Sequence, residues 1–88
     1  MEKRDFTIIN RLGLHARAAA QLVQLANQFS AEVTLTKEEI EVNGKSIMGI
    51  LLLAAPKGTV LTVAVDGTDE EQAMQAIAAL IEDGFGED

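Results

Sequence analysis

The chain of 88 residues contains no cysteine. That absence excludes a disulfide framework, thiolate zinc sites, iron–sulfur clusters and a cysteine nucleophile, and it fits a reducing compartment. The single histidine, His15, excludes any site that needs two imidazoles. Trp and Tyr are also missing. The aromatics are Phe6, Phe29 and Phe85, too scattered for a base-stacking platform. Basic residues are few, with 7 Lys and Arg against 14 Asp and Glu for a net charge of −7. Broad contact with nucleic acid or an anionic membrane is therefore not expected. The longest apolar stretch, Ile47 to Pro56, is interrupted by Gly49 and is too short to span a bilayer. No apolar segment follows the opening MEKRD, so no signal peptide is read. The expectation is a cytoplasmic monomer without membrane insertion, with residues 1–88 forming one domain.

What is present reads as alternating strands and helices. Arg4 to Asn10 is a β-rich run broken by Arg11-Leu12-Gly13-Leu14. From Ala16 the period changes, and Ala19, Leu22, Val23, Ala26 and Phe29 recur at helical spacing. Arg17, Ala20, Gln21 and Gln24 form a stripe of the same helix nearer to solvent. Ala31 to Lys37 alternates, Glu38-Glu39 connects, and Ile40 to Asn43 completes a hairpin. Asn43-Gly44 is a turn signal, and Ser46 stands where an N-cap belongs before a short apolar helix from Ile47 to about Ala55. Thr59 to Asp66 alternates as a strand. Thr68 and Glu71 have capping-box spacing ahead of a helix whose apolar face is Ala73, Ala76, Ile77, Leu80 and Ile81. Gly84 stops that helix, and Phe85 to Asp88 reads as a short acidic tail. The order β-α-β-β-α-β-α predicts an α+β fold, an open-faced sandwich with a four-stranded antiparallel sheet and three helices on one face.

His15 is the residue best placed to carry chemistry. It immediately precedes the first helix, whose free N–H groups and partial positive charge attract anions. Arg17 adds a guanidinium suited to phosphate oxygens, and Gly13 permits a tight chain approach. Positive surroundings discourage protonation and favour the nucleophilic free base. These features suit a histidine that accepts a phosphoryl group, and equally one that only binds an anion.

The segment Gly13-Leu14-His15-Ala16-Arg17-Ala18-Ala19-Ala20 resembles the active-site signature of the HPr family. These are the histidine-containing phosphocarriers of the bacterial phosphoenolpyruvate-dependent phosphotransferase system. Lys45-Ser46-Ile47-Met48-Gly49 resembles the family's second signature, around a regulatory serine. The resemblance covers essentially the whole chain. It implies that His15 takes a phosphoryl group on Nδ1 from phosphorylated enzyme I and passes it to an enzyme IIA-type acceptor. It also implies that Arg17 pairs with the phosphoryl oxygens and that the Ala16 and Arg17 N–H groups add donors. An HPr kinase/phosphorylase would modify Ser46, and a transcriptional regulator would be a further partner. No cofactor or metal is implied. Two departures stand out. Ala18 replaces a common proline, with little expected effect, and Leu12 replaces a small polar residue able to orient the loop.

Ile47, Met48 and Leu51 lie near one side of the short helix, while Ile50, Leu53 and Ala54 are expected to fill the core. With Ala20 and Gln24 they suggest an apolar docking patch near His15, flanked by Arg17 and Lys45. Gly44-Lys45-Ser46 is not a nucleotide-binding loop, because the required earlier glycine is Glu39. Asp66, Asp69, Glu70, Glu71, Glu82, Asp83, Glu87 and Asp88 read as solvated and helix-terminal charge rather than a metal site. Other readings remain: a nitrogen-branch carrier, suggested by Leu12-Gly13-Leu14 and the acidic tail; a regulatory module without phosphate transfer; and a ligand-sensing domain. A stand-alone catalyst is the poorest fit, because no acid/base pair is found.

Overall fold

The computed structural model describes residues 1–87. The elements run β1 (Glu2–Thr7), α1 (Ala16–Ala26), β2 (Glu32–Lys37), β3 (Ile40–Asn43), α2 (Ile47–Leu52), β4 (Val60–Asp66) and α3 (Glu70–Glu82), followed by a 3-10 turn over Gly84–Gly86. The strands form one antiparallel sheet in the order β1-β4-β2-β3. The alternation seen in the sequence decides its two faces. Phe6, Val33, Leu35, Leu61, Val63 and Val65 are buried, while the residues between them are partly or fully exposed. The three helices cover the buried face, as expected for an open-faced sandwich.

Helix α1 buries Ala18, Ala19, Leu22, Val23 and Ala26 and leaves Arg17 and Gln24 exposed. Phe29, beyond its end, is only half-buried. The helix's close neighbours are α2 and α3, and its buried residues join the core between them and the sheet. In α3 the buried positions are Ala73, Met74, Ile77, Ala78 and Ile81. Met74 and Ala78 thus widen the apolar face read from the sequence, whereas Ala76 and Leu80 sit at its margin.

Several boundaries differ from the sequence reading. The first strand is Glu2–Thr7 rather than Arg4 to Asn10, because the β1–β4 register ends at Thr7 opposite Val60. Ile8 extends the ladder through its N–H to the Thr59 carbonyl and its carbonyl to the Gly58 N–H. Helix α2 stops at Leu52, with Leu53 as C-cap and Ala54 at φ +47°. Pro56 disfavours helical backbone at the residue before it. Ala54, left-handed at the end of the helix, is exposed, and Ala55 takes the core position instead. Lys37 Nζ donates to the Leu53 and Ala54 carbonyls at 3.0 and 3.4 Å, closing the helix's C-terminal end.

The Thr68–Glu71 capping box does not form. Helix α3 starts at Glu70 with Asp69 at its cap position, and no side chain caps it. Asp69 is engaged elsewhere: its carboxylate accepts from the Ser30 and Ala31 N–H groups, both at 2.9 Å. Glu70 Oε1 instead accepts from the Gly67 N–H at 3.1 Å. A long-range tie has displaced the local motif.

The acidic tail is the largest correction. Phe85 is buried in the core at 2% exposure. Gly84, Phe85 and Gly86 have φ of +65°, +57° and +73°. Three successive left-handed residues reverse the chain after α3 and direct Glu87 back across the molecule. A left-handed non-glycine residue costs about 1–2 kcal/mol, which is offset by burying a phenylalanine ring, worth roughly 1.5–3 kcal/mol. Asp88 lies outside the described residues.

Candidate functional site

His15 is the N-cap of α1, with extended backbone at φ −77° and ψ 178°. Its side chain takes the place of the usual serine or aspartate: Nδ1 accepts from the Arg17 N–H at 3.3 Å. An accepting Nδ1 leaves the ring proton of the neutral imidazole on Nε2. Nε2 faces Glu87 Oε2 at 2.6 Å. The ring is thus held from both sides, with its Nδ1 lone pair directed toward the helix N-terminus. The side chain remains 24% exposed, enough for a partner to reach it.

The segment before His15 is fixed by backbone. The Leu14 N–H donates to the Ala55 carbonyl at 2.9 Å, and the Gly13 N–H to the Asn10 carbonyl at 3.1 Å. Gly13 has φ +67°, and a Cβ there would run into the Ala55 carbonyl oxygen. Glycine is needed here for both conformation and space.

Asn10, which the sequence reading placed in the first strand, is a buried polar residue at 1% exposure. Its Nδ2 donates to the Gly13 carbonyl at 2.8 Å and to Glu87 Oε1 at 3.0 Å. Glu87 is therefore gripped through both oxygens, by Asn10 and by His15. The Asn10 bond, followed by the His15 bond, holds the Glu87 carboxyl below its usual value against the opposing effect of desolvation. Neither Asn10 nor Glu87 was assigned to the site from sequence. The available signals were a polar residue ending an apolar run and two glycines bracketing the aromatic of an otherwise polar tail.

Two shallow grooves adjoin His15. One, of about 300 Å³, is lined by Arg11, Leu12, Arg17, Gly86 and Glu87. The other, of about 230 Å³, is lined by Leu12, Leu14, His15, Ala54, Ala55 and Pro56. Arg11, also passed over in the sequence, therefore brings a second guanidinium to the groove that Arg17 lines. Ala16 and Arg17 are exposed at the first turn of α1. Helix N–H groups and two guanidiniums make this end attractive to anions despite the chain's net negative charge.

Ser46 caps α2, its Oγ accepting from the Gly49 N–H at 3.0 Å. Helices α1 and α2 run antiparallel. Lys45 Nζ donates to the Phe29 carbonyl just past the end of α1 at 2.8 Å, whereas Ala55, after α2, bonds to Leu14 just before α1. Eleven residues of helix span about 16 Å, so Ser46 and Lys45 stand at the end of α2 away from His15. Between these ends α2 exposes Ile47, Met48, Leu51 and Leu52, one continuous face by helical spacing. Ile50 and Leu53 are buried beneath it. On α1, which packs against α2, Ala20 is half-buried and Gln24 exposed. Leu52, 71% exposed, and Leu12, 61% exposed, enlarge the apolar surface beyond the residues expected. Among the described residues no helix is long and apolar enough to cross a membrane.

Comparison with known proteins places these features in context. The family model described as "PTS HPr component phosphorylation site" matches residues 2–83. The phosphocarrier protein HPr of Neisseria meningitidis serogroup A is 54% identical over 87 residues, covering 99% of this chain and 98% of the relative. That of Xylella fastidiosa strain Temecula1 is 52% identical over 88 residues, covering 100% and 99%. The crystal structure of HPr-C-His from Thermoanaerobacter tengcongensis superimposes with a TM-score of 0.96 at 44% identity, covering 100% of this chain and 99% of that one. With a matching model over nearly its full length and relatives above half identity, the chain belongs to the HPr family of phosphocarrier proteins of the phosphotransferase system.

Proposed function

We propose that this chain carries a phosphoryl group on His15 Nδ1, received from phosphorylated enzyme I and delivered to enzyme IIA-type acceptors of sugar uptake. The observation that supports this most is the Nδ1 lone pair, held 3.3 Å from the Arg17 N–H at the start of α1. The Nδ1 pair attacks phosphorus, and the bond from phosphorus to the donor atom breaks with its electrons returning to the donor. The proton on Nε2 stays in place, so the ring becomes a phosphorylated imidazolium. The phosphoryl oxygens take over the Arg17 and Ala16 N–H groups and the Arg17 guanidinium. Few groups hold the cargo, and the site is partly open. The same step therefore runs in reverse toward an acceptor. Most of the acceleration arises from positioning and charge stabilisation, with the partner completing the site.

Partners dock on the apolar face of α2 together with Ala20 and Gln24 of α1, with Arg17 at one end and Lys45 at the other. Phosphorylation of Ser46 by an HPr kinase/phosphorylase adds about −1.5 to −2 charge beside that face. Over the length of α2 its direct field at His15 is screened, since the Debye length is about 8–10 Å. The modification therefore acts on the docked partner rather than on the imidazole.

Intact-protein mass spectrometry after incubation with phosphoenolpyruvate and enzyme I tests the reading. One acid-labile phosphoryl group, absent from His15→Ala, is the expected result. No phosphorylation by a cognate enzyme I proven active on another carrier would exclude it.

A further inference from the structure

We propose that Glu87 is a positioning residue for His15, fixing the ring proton on Nε2 and leaving Nδ1 free as the nucleophile. Its effect on transfer rests on the phosphocarrier reading; its effect on the ring proton does not.

The geometry has three parts. Glu87 Oε2 lies 2.6 Å from Nε2, and the pair is partly shielded, at 24% exposure for His15 and 13% for Glu87. Glu87 Oε1 is anchored by Asn10 Nδ2 at 3.0 Å, and Asn10 is in turn tied to the Gly13 carbonyl at 2.8 Å. The Asn10 Oδ1 has no partner among the described residues, so this buried amide is retained for its donor bonds. The third part is the left-handed turn at Gly84, Phe85 and Gly86, anchored by the buried Phe85 ring. Strained backbone persists where the surroundings over-determine it. Here the turn delivers the carboxylate to the imidazole across 72 residues of sequence.

A carboxylate on one ring nitrogen fixes the tautomer and makes the other nitrogen a better donor of its electron pair. When Nδ1 bonds to phosphorus, the ring carries a positive charge with its proton still on Nε2. The Glu87 carboxylate faces that charge. When the phosphoryl group leaves, the N–P electron pair returns to a neutral imidazole, a better leaving group than an imidazolate. The carboxylate stabilises the charged ring from the side opposite the phosphoryl group. It takes up none of the donors at the α1 N-terminus. In this chain Leu12 offers no polar contact to the loop, and Asn10 and Glu87 supply it from elsewhere.

The test combines nitrogen-15 NMR of the His15 ring in the full chain with the rate of phosphorylation by enzyme I and phosphoenolpyruvate. Glu87→Ala removes both contacts. Glu87→Gln keeps the shape, but its one amide oxygen cannot accept from Asn10 and His15 together. The wild-type ring is expected to show a bare Nδ1 and an Nε2 proton slow to exchange with water. Glu87→Ala should lose that protection, and in both variants phosphorylation should slow by about tenfold, the size of effect that carboxylate partners of metal-bound histidines have. The loss should fall on kcat rather than KM. An Nε2 proton that exchanges equally fast in wild type and Glu87→Ala would overturn the proposal. So would an unchanged or faster rate in both variants, the latter identifying the tail as a cover over His15. Loss of protection with neither wild type nor variant phosphorylated would overturn the carrier reading and leave the positioning contact standing.

Discussion

Leu14 and Ala55 join the two loops that flank the His15 end of the molecule, the Leu14 N–H donating to the Ala55 carbonyl at 2.9 Å. Gly13 is pressed against the same carbonyl in a left-handed conformation, and a Cβ there would also lie 2.8 Å from Pro56 Cα. Gly13→Ala therefore faces both a backbone penalty of about 1–2 kcal/mol and a clash with backbone that has no flexible side chain to give way. The variant should melt at lower temperature and lose most of its His15 phosphorylation, because Leu14 and His15 move together. Wild-type melting and phosphorylation rate in Gly13→Ala would mean that the loop is not set by this contact.

Ser46 separates a capping role from a charge role. Ser46→Ala removes the acceptor for the Gly49 N–H and should cost about 1 kcal/mol with little change in phosphorylation of His15. Ser46→Asp keeps an acceptor at the cap and adds a charge beside the α2 face. It should be as stable as wild type within about 0.5 kcal/mol and slower to be phosphorylated by enzyme I. Equal rates for the two variants in a coupled kinetic assay would remove the charge argument.

Asp69 should give the fold a component of acid sensitivity. The Ser30 N–H, followed by the Ala31 N–H, holds its carboxyl below the ordinary aspartate value of 3.8. A folded-state value lower than the unfolded one stabilises the protein above the unfolded value, and that contribution is lost as pH falls through the folded one. Asp69→Asn has one amide oxygen for two N–H groups and should be less stable than wild type at neutral pH. The difference should shrink as pH drops below about 4 and vanish in stronger acid. Denaturant melts at several pH values measure it. A difference independent of pH would show that Asp69 acts through packing rather than charge.

These cases show which parts of the molecule the sequence makes legible. Local features can be read: the His15 and Ser46 caps each act within three residues, and the alternation of Leu61, Val63 and Val65 identifies β4 and its buried face. Features that depend on distant partners cannot. Thr68 and Glu71 have the spacing of a capping box, but the tie from Asp69 to Ser30 and Ala31 decides where α3 begins. Glu87 looks like one more tail carboxylate until the buried Phe85 and the left-handed turn bring it to His15. Asn10 looks like the end of a strand until its amide is seen to bridge Gly13 and Glu87.

The apolar face of α2 can be tested only with variants that leave the fold intact, and Lys45 is not one of them. Its ammonium donates to the Phe29 carbonyl in a partly buried bond at 2.8 Å. Charge reversal at Lys45 would set a carboxylate against that carbonyl and should cost about 1 kcal/mol or more. Met48 is a cleaner probe, because it is 72% exposed. Met48→Glu should alter stability by less than about 0.5 kcal/mol. In the enzyme I assay it should raise KM for this chain while kcat changes little, since docking is impaired and the His15 site is untouched. Leu52→Glu, on the same face and equally exposed, should act in the same direction. Wild-type KM in both variants would move the docking surface off α2 and onto the Leu12 grooves beside His15.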